Sequence, residues 1–549
     1  MLDRDEIDAL FAADLPEPEH WERRFPPRSL PAGAQVTRFC PSPTGAMHLG
    51  GIFVALIDKA IAGQTGGVYV IRIEDTDQER EVAGAADVFE RGLRWSGLLA
   101  DEGGSRGDYG PYTQSQRADI YMTYAREFLR QGKAYLCFAT REELAALTKE
   151  QSAARVMPGY YGRWAIWRDA SDDQVRERLA AGDPYVVRFR SPGKIGRRVG
   201  YDDLIRGTLT QDDNHNDIVI LKSSAVSPRL PTYHFGHLVD DHLMRVTLVI
   251  RGEEWIPSVP VHLQLFEAAG FEPIPYAHVA PLMKQEGSTR RKLSKRKDSE
   301  ASIEYYIAAG YPPDAVLYLL RGLANGRLSN LPIPEALEAP LRLEECGIAG
   351  PLVDLAKLED IAADVVAAMP SPDVMEAVME WAELYDPQIA ALISAQRDLA
   401  RRALDIERVG VDNPRKDLRK WSDFRQVYGY FFDSLFEPVT DPSDERFGGL
   451  DPEAVRRLSG KVLADYRDDK TSDGWFEQIR AAALATGFAP SVGAFKKDPD
   501  GYVGSIREAS QVVRVLLTGT TRSPGLHMVA DVLGEEEVKR RLGAVLRLT

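Results

Sequence analysis

The stretch RFCPSPTGAMHLGG, residues 38–51, decides the expected fold because it joins a strand to a helix through a rigid turn. QVTRFC predicts a short buried strand, PSPTG predicts a turn, and GIFVALIDKAIAGQTGG predicts a helix that ends at a glycine. VYVIRIED, rich in β-branched residues, predicts the next strand, and AGAADVFERGLRWSGL predicts another helix. This strand–helix–strand–helix order predicts a parallel sheet of the Rossmann type.

The same turn has features suited to a bound nucleotide. A helix that begins just after it presents free N–H groups and a partial positive charge, which favour a phosphate. Gly50 and Gly51 carry no side chain, so a base or a phosphate can approach the backbone, and His48 can donate to a phosphate oxygen. The P-loop pattern GxxxxGK[ST] is absent from this turn. On spacing alone, a proline-stiffened loop with a surface histidine is an equally good interpretation.

The composition predicts a globular protein of several domains. At roughly 100–200 residues per domain, 549 residues predict about three to five domains, and 44% of the residues are hydrophobic and 28% charged. The three cysteines are far apart and odd in number, which argues against a disulfide framework and favours a reducing cytosol. We find neither an apolar run of about 18 residues nor a signal peptide in the acidic N-terminus, and therefore expect a cytoplasmic protein without membrane contact.

A second phosphate-binding candidate is the basic segment STRRKLSKRKD, predicted to be a loop, in which Lys292 and Lys295 flank Leu293 and Ser294. Such a loop can fold onto a triphosphate and neutralise charge as pyrophosphate leaves. Taken alone, a nonspecific basic patch is the better interpretation. From about 115 to 215, however, short helical segments alternate with glycine- and proline-containing segments, and the α/β pattern then returns at DIVILKSS and LMRVTLVIRGEEW, which precede the basic segment. Each half of the predicted sheet thus contributes one element, which predicts a split nucleotide site.

Several segments, taken together, resemble the glutamyl-tRNA synthetases, a family of class I aminoacyl-tRNA synthetases. RFCPSPTGAMHLGG resembles the family's form of the His-Ile-Gly-His signature, and VIRIEDTD, LPTYHFGHLVDDH, VIRGEEW and KLSKRK follow in family order. VLLTGTTRSPGLHMVADVLGEEEVKRRL resembles the C-terminal part of the anticodon-binding region. The leader and NPRKDLRKWSDFRQVYGYFFDSLFE are similar to a longer bacterial branch. The resemblance extends from about residue 34 to the C-terminus and is strongest over 34–310.

The resemblance implies an α/β Rossmann-type catalytic domain with an inserted acceptor-binding α/β domain, followed by a mostly α-helical anticodon-binding region. The expected boundaries are a leader at 1–33, the first catalytic half at 34–114, the inserted domain at 115–215, the second catalytic half with the lysine loop at 216–298, a stem-contact domain at 299–365, and the helical anticodon-binding region at 366–549.

The implied activity is that of a glutamate–tRNA ligase. Glutamate attacks the α-phosphate of ATP to give glutamyl-adenylate and pyrophosphate, and the terminal ribose hydroxyl of tRNA(Glu) then takes the glutamyl group and releases AMP. Positioning and charge stabilisation carry such catalysis. Mg²⁺ is expected with ATP because it offsets the triphosphate charge. The expected partners are tRNA(Glu), L-glutamate and ATP, and we expect a monomer.

Glutamate carries two carboxylates and one ammonium, so its pocket should offer two cations and an acceptor cluster. The arginine fork suits carboxylates. By resemblance, Arg38 is expected on the side-chain carboxylate and Arg251 on the α-carboxylate. Ser42 and Glu74 match positions that hold the α-amino group, and Tyr233 matches a tyrosine that lines the pocket.

Two of these assignments have simpler alternatives. Without the resemblance, Glu74 and Asp75 would be interpreted as strand-end carboxylates that bind water or Arg72. Tyr233 and Trp255 would be interpreted as ordinary core aromatics.

The resemblance also implies an ATP site and three catalytic residues. The catalytic residues are His48, Lys292 and Lys295, and the expected ATP contacts are His48, Gly50, Gly51, Glu254 and Trp255, with Lys292 and Lys295 on the phosphates.

Three features depart from the common family pattern. Cys40 replaces an alanine and is expected to act as a small hydrophobe. His237 replaces an asparagine; if it contacts glutamate, it should add an ionisation near pH 6–7. Some relatives bind zinc in the inserted domain, but here YLCFAT supplies Cys137 alone and YGRWAIW supplies no ligand. Four ligands cannot be assembled, so we expect no zinc and no metal site.

The net charge of −15 argues mildly against nucleic-acid binding, but says little about a local patch. DNPRKDLRKW and KRK are candidate basic patches for tRNA, although a solvated helix face is the simpler interpretation of the former.

Four alternative functions follow from the same resemblance. One is an enzyme that also charges tRNA(Gln), which the sequence does not exclude. A glutaminyl-tRNA synthetase is disfavoured by PSPTG, where that family has Pro-Glu-Pro-Asn-Gly. A tRNA-modifying glutamyl ligase would lack the long helical extension. A catalytically inactive RNA-binding paralogue is disfavoured by His48, Lys292 and Lys295.

Overall fold

A computed structural model describes residues 2–43, 45, 47–77 and 84–546 of the chain. The described residues fall into two compact units, one within Met1–Tyr305 and Leu317–Asp354 and one within Tyr306–Val316 and Leu355–Thr549. Thr44 and Ala46, in the 38–51 stretch, and Ala83, in the second predicted helix, lie outside the described residues. None of the described helices is long and apolar enough to cross a membrane.

Within the described residues the strands all precede residue 293. They are β1 (Val36–Phe39), β2 (Val68–Ile71), β3 (Ala134–Cys137), β4 (Val186–Phe189), β5 (Arg198–Asp203), β6 (Gly207–Asp212), β7 (Val219–Leu221), β8 (Val249–Gly252), β9 (Tyr276–Val279), β10 (Met283–Glu286) and β11 (Thr289–Lys292).

Helices occur throughout the described chain and are the main elements after β11. They are α1 (Arg4–Asp8), α2 (Pro18–Arg24), α3 (Leu49–Gln64), α4 (Ala85–Trp95), α5 (Ala118–Arg130), α6 (Arg141–Ala153), α7 (Asp172–Ala180), α8 (Tyr233–Leu243), α9 (Val259–Ala269), α10 (Ile303–Ala309), α11 (Pro313–Ala324), α12 (Ile333–Glu338), α13 (Leu355–Ala368), α14 (Ser371–Tyr385), α15 (Pro387–Ala395), α16 (Arg397–Asp405), α17 (Phe424–Tyr428), α18 (Pro452–Ala464), α19 (Ser472–Ala485), α20 (Val492–Lys497), α21 (Ile506–Thr518), α22 (Leu526–Leu533) and α23 (Glu535–Leu542).

The predicted parallel sheet is present in the first unit. β1 pairs with β2 in parallel, with α3 as the crossover, and β8 pairs with β9 in parallel, with α9 as the crossover. The N–H groups of Thr247 and Leu248 both donate to the carbonyl oxygen of Val36, so the two strand pairs adjoin. This parallel arrangement confirms the predicted Rossmann-type fold class, because strands of this kind need helical crossovers.

Two local predictions differ from the structure. The strand predicted for VYVIRIED ends at Ile71, after which Ile73 forms only an isolated parallel bridge to Thr113, and Arg72 and Glu74 are buried. The predicted basic loop is in part a hairpin, because β11 pairs antiparallel with β10 and carries Arg290 to Lys292 on a strand. Pairing with β10 sets the backbone register of these residues.

The predicted inserted segment, 115–215, contains the β5–β6 hairpin and contributes β3 and β4 to a second, antiparallel sheet, whose third strand, β7, comes from the predicted second catalytic half. The last residue of β5, Asp203, pairs in parallel with Tyr276 at the start of β9. The hairpin is therefore hydrogen-bonded to the strand pair of the second catalytic half. The domain boundaries given above stay predictions.

The acidic leader is part of the first unit's core. Ile7 and Phe25 are buried in the same apolar cluster as α5 and α8. Arg130, on α5, forms ion pairs with Asp8 at 2.7 Å and with Glu17 at 2.6 Å. The leader is thus held by both burial and charge.

The second unit is helical, as predicted. Its described helices from α13 to α23 surround two apolar cores, one around Val378 and Phe424 and one around Val455 and Val513.

Candidate active site

One cavity in the first unit brings together the two predicted phosphate-binding segments. His48 is the N-cap of α3, and its Nδ1 accepts the N–H of Gly50 at 2.8 Å. The ring proton of the neutral imidazole therefore lies on Nε2, 3.3 Å from the carbonyl oxygen of Leu293, which it faces as a donor. The 38–51 turn and the 290–297 segment thus meet at one imidazole.

Most of the predicted site residues line this cavity, which has a volume of about 530 Å³. The predicted residues that line it are Arg38, Ser42, His48, Gly50, Gly51, Glu74, Tyr233, Arg251, Glu254, Trp255 and Lys292. Lys295 and His237 are not among the lining residues.

His48 is neutral at pH 7. Burial lowers the pKa of its imidazole, and the positive charge of nearby Lys295 lowers that pKa further. A Cβ atom at position 50 would lie 3.0 Å from His48 Nδ1, so glycine leaves room for the imidazole that caps the helix. The arrangement offers a neutral N–H donor at the N-terminus of α3, where an anion is also favoured by the helix dipole.

Arg38 lies on a wall that is rich in carboxylates. Its Nε donates to Asp241 Oδ2 at 3.0 Å, and Nη1 of Arg72 donates to the other oxygen of Asp241 at 2.5 Å. Burial works to raise the pKa of Asp241, but Arg38 and Arg72 hold that pKa well below its usual range. Arg38 thus has a carboxylate partner before any ligand binds, but shares it with Arg72.

Glu74 and Asp75 have different protein partners, and only that of Glu74 is the arginine named in the simpler alternative. Arg72 Nη2 donates to Glu74 Oε1 at 2.9 Å, and burial raises the pKa of this carboxyl despite the arginine. Asp75 Oδ1 accepts the N–H of Ser115 at 2.8 Å. Glu74 also lines the cavity, whereas Asp75 does not, so only Glu74 is placed to meet a ligand.

Arg251 lies on a wall of neutral aromatic groups. Its Nε donates to His278 Nε2 at 3.1 Å, and its Nη2 lies 3.3 Å from His262 Nδ1. Its Nη1 donates to the hydroxyl of Tyr233 at 3.4 Å, and the Tyr233 ring stacks on Trp255 with centroids 4.1 Å apart. Burial raises the pKa of Tyr233 to about 12, so this hydroxyl is also neutral.

The prediction of an ionisation near pH 6–7 at His237 is not supported by its surroundings. The side chain is 1% exposed, its Nδ1 lies 2.7 Å from Asp241 Oδ2, and its Nε2 lies 3.0 Å from the Tyr276 hydroxyl. Burial lowers the pKa of His237 to about 4, although Asp241 works in the opposite direction. Both ring nitrogens face protein groups behind the cavity wall.

Glu254 and Lys292 face each other at the cavity rim. Lys292 Nζ lies 3.5 Å from Glu254 Oε1, and both side chains are more than half exposed. An exposed pair at this distance is weak, so either group can turn towards a ligand at little cost.

Cys40 and Cys137 have different environments. Cys40 lines the cavity, and burial raises the pKa of its thiol, which fits the expected role as a small neutral group. In the inserted segment, Cys137 Sγ accepts a hydrogen bond from Arg188 Nε at 3.3 Å and lies 3.3 Å from the Tyr160 hydroxyl. Across the described part of the chain, no three His, Cys, Asp or Glu residues are grouped to hold a metal ion.

The second unit contains the basic segment DNPRKDLRKW, which is not helical over 411–420. Lys416 Nζ lies 2.6 Å from Asp364, and Arg419 pairs with Glu359 at 2.9 Å. Arg415 also pairs with Glu407 at 2.9 Å. A nucleic acid would therefore have to compete with these carboxylates for the cations.

Sequence reasoning missed the residues behind the two arginines. Asp241 had a signal, since a histidine and an aspartate four residues apart in HLVDD lie on one helix face. His262, His278 and Asp203 had none, because they come from α9, β9 and β5 and meet only through tertiary packing.

Comparison with known protein families gives two matches. Residues 35–331 match the catalytic domain of the class I tRNA synthetases (E and Q), and residues 505–546 match an anticodon binding domain.

Similar proteins cover almost the whole chain. A glutamate–tRNA ligase from Clostridium beijerinckii is 40% identical over 541 residues, covering 96% of this chain and 97% of its own length. One from Sorangium cellulosum is 41% identical over 572 residues, covering 97% and 99%. The crystal structure of a glutamate-tRNA synthetase from Elizabethkingia anophelis superimposes with a TM-score of 0.73 at 26% identity, covering 94% of this chain and 100% of that one.

Proposed function

The chain belongs to the class I tRNA synthetases for glutamate and glutamine, and within them to the glutamate–tRNA ligases; on that premise we propose that it joins L-glutamate to tRNA(Glu) with ATP. The observation that carries the proposal is the single cavity in which His48, Lys292, Arg38 and Arg251 come together. Two anionic ligands, a triphosphate and a dicarboxylic amino acid, match two separate sets of cations and donors in this cavity.

In this proposal glutamate lies between the two arginines. Arg38 receives the side-chain carboxylate and Arg251 the α-carboxylate, while Ser42 and Glu74 hold the ammonium group. Glu74 suits this role because its second oxygen is free of the Arg72 hydrogen bond, which uses Oε1. Tyr233 closes the pocket with its ring against Trp255.

ATP takes the part of the cavity near the N-terminus of α3. Gly50 and Gly51 leave the backbone open to it, and His48 Nε2–H can turn from the Leu293 carbonyl to a phosphate oxygen. Glu254 and Trp255 are the proposed contacts for the nucleoside. Mg²⁺ enters with the triphosphate and offsets its charge, in keeping with its preference for phosphate oxygens and water over an all-protein cage.

Catalysis then depends on position and charge. The α-carboxylate of glutamate attacks the α-phosphate, the charge on the departing pyrophosphate grows, and Lys292 and Lys295 neutralise it. In the second step the tRNA ribose hydroxyl attacks the activated carbonyl and loses its proton, the bond from the carbonyl carbon to the phosphate oxygen breaks, and AMP leaves. We further propose that the enzyme works as a monomer in the cytoplasm and that its helical second unit reads the anticodon of tRNA(Glu).

The test is ATP–pyrophosphate exchange, measured with glutamate or glutamine and with or without tRNA(Glu), followed by charging of purified tRNA(Glu) and tRNA(Gln). We expect exchange with glutamate, and a loss of about a hundredfold or more in Lys292→Ala, since a missing charge stabiliser typically costs this much. Arg23→Ala, which removes an exposed cation on α2 in the leader, is the control and should behave like the wild type.

Exchange driven by glutamine instead of glutamate would contradict the proposal. So would the absence of exchange with glutamate in the presence of tRNA(Glu). Charging of tRNA(Gln) as well as tRNA(Glu) would broaden the tRNA specificity and leave the reaction unchanged.

A further inference from the structure

Arg251 is held by a chain of buried groups that starts in the predicted inserted segment. Arg251 on β8 and His278 on β9 are direct partners in the parallel pairing, so their side chains lie on the same face. Arg251 Nε donates to His278 Nε2 at 3.1 Å, and His278 Nδ1 lies 2.6 Å from Asp203 Oδ2 at the end of β5. Asp203 also accepts the N–H groups of Ile205 and Arg206, which fixes its carboxylate.

These contacts determine the tautomer of each imidazole. An arginine only donates, so His278 must accept at Nε2 and carry its proton on Nδ1, where Asp203 accepts it. His262 must likewise accept from Arg251 at Nδ1, and its Nε2–H then points to His234 Nδ1 at 2.9 Å. The Arg251 guanidinium thus donates from Nε to the Nδ1–H tautomer of His278 and from Nη2 to the Nε2–H tautomer of His262.

Both imidazoles are neutral. Burial lowers the pKa of His278, and the Arg251 charge lowers it further, although Asp203 works against this. Burial also takes the pKa of His262 well below its usual range, with neighbouring His237 and Arg251 adding to the effect. Among the described residues, no carboxylate lies within ion-pair distance of Arg251.

We propose that His278 and His262, with Asp203 fixing the first of them, are positioning residues that aim the Arg251 guanidinium at the cavity while leaving its charge uncompensated. A carboxylate partner would orient the arginine equally well but would cancel the charge. Neutral acceptors keep the charge for the ligand, so this wall favours a free α-carboxylate over a neutral α-amide. This inference rests on the proposed function, in which Arg251 receives the α-carboxylate.

The test compares two substitutions of His262 that differ in charge. His262→Gln keeps a neutral acceptor, and His262→Glu supplies a carboxylate beside Arg251. We expect His262→Glu to raise the KM for glutamate about tenfold, the size of one hydrogen bond to a charged group. His262→Gln should raise it by less than about threefold, and the KM for ATP should stay within about twofold in both variants.

Two amides of glutamate, the α-amide and glutamine, show which of the two ligand carboxylates is affected by His262→Glu. The α-amide, used as a competitive inhibitor of exchange, has no charge to offer Arg251, so its inhibition constant should rise by less than about threefold in His262→Glu. The enzyme's preference for glutamate over the α-amide should therefore fall. Glutamine, whose amide lies at the other end, keeps the α-carboxylate, so its binding should weaken together with that of glutamate.

Asp203 provides a second, independent pair. Asp203→Ala removes the acceptor for His278 Nδ1–H, whereas Asp203→Asn keeps one. We expect about a tenfold rise in the KM for glutamate in the alanine variant and less than about threefold in the asparagine variant, at an unchanged KM for ATP. His242→Gln is the control for loss of a partly buried histidine, since His242 pairs with Glu22 in the leader. Thermal unfolding is measured for every variant. The KM values are compared within a pair, His262→Gln with His262→Glu or Asp203→Asn with Asp203→Ala, when both of its members are folded.

A merely structural role predicts a different result. The inference is overturned if His262→Glu or Asp203→Ala raises the KM for glutamate and the KM for ATP in the same proportion. It is also overturned if His262→Glu weakens the binding of glutamate and of its α-amide equally. In both cases the proposed function stands. If the wild-type enzyme shows no glutamate-dependent exchange, the proposed function fails and the inference fails with it.

Discussion

The two arginine-bearing walls of the cavity have opposite electrostatic designs. Arg38 and its neighbour Arg72 share the Asp241 carboxylate, and Arg72 also pairs with Glu74, so this wall is a network of buried ion pairs. Arg251 contacts imidazoles and a phenol that are neutral. A buried ion pair fixes geometry and couples the side chain to the stability of the fold, whereas neutral acceptors fix geometry and leave the charge available. The wall around Asp241 should therefore matter most for folding and the wall around Arg251 most for binding.

The largest expected effect is on catalysis at Arg251. Arg251→Gln should lower kcat/KM for glutamate about a thousandfold, because truncating one partner of a buried charge interaction with the ligand costs about 2–5 kcal/mol. The free energy of unfolding should change by only about 1–2 kcal/mol, the low end for hydrogen bonds of a charged group, because no carboxylate loses its counter-ion. Exchange kinetics and urea unfolding measure the two quantities. A loss of stability as large as that of Asp241→Asn would contradict the contrast between the walls.

The next effect is on stability at Asp241. Asp241→Asn leaves Arg38 and Arg72 without their shared counter-ion, so the free energy of unfolding should fall by about 3 kcal/mol or more. Urea unfolding at pH 7 measures the change.

The matched control for this substitution is Asp173→Asn on α7. The Asp173 side chain is 95% exposed and lies 3.2 Å from Arg176, so water screens the pair. The free energy of unfolding should therefore change by less than about 1 kcal/mol. A similar loss in Asp173→Asn and Asp241→Asn would contradict the role given to the buried network.

A smaller effect concerns pH and the buried histidines. His237 has a pKa of about 4 in the folded protein because of its burial, against about 6.5 when unfolded. The unfolded chain therefore binds more protons between these values, so stability should fall as the pH drops from about 6.5 to 4. His237→Asn should reduce this dependence by about 3 kcal/mol across that window. Urea unfolding at several pH values measures it, and an unchanged slope in the variant would contradict a neutral His237.

The smallest effect is expected at the cavity rim. Glu254 and Lys292 form an exposed pair at 3.5 Å. Glu254→Gln should change the free energy of unfolding by less than about 0.5 kcal/mol, because water screens such pairs. Thermal or urea unfolding checks this, and a loss above about 1 kcal/mol would show that the rim pair belongs with the buried network.

The parallel core of the catalytic fold could be predicted from local sequence. The helix that follows 38–51 was expected because an apolar run ends at a glycine, and α3 does end at Gln64 with Gly66 at a φ of +69°. The basic segment was expected to be a loop, but β11 pairs with β10. The many basic residues of the segment indicated an exposed loop. The strand forms because the segment pairs with β10, and that pairing cannot be predicted from the segment's own residues.

The sequence by itself determined much of the chemistry of the cavity, because the turn at 38–51 and the lysine at 292 stand in segments whose local order and spacing indicate phosphate binding. Only the tertiary structure decided how those groups are charged and held. Asp203, His262 and His278 come from three separate elements, and they meet Arg251 only when β5, β8, β9 and α9 pack together. Burial then sets their protonation, and burial is a property of the folded chain that no single segment contains.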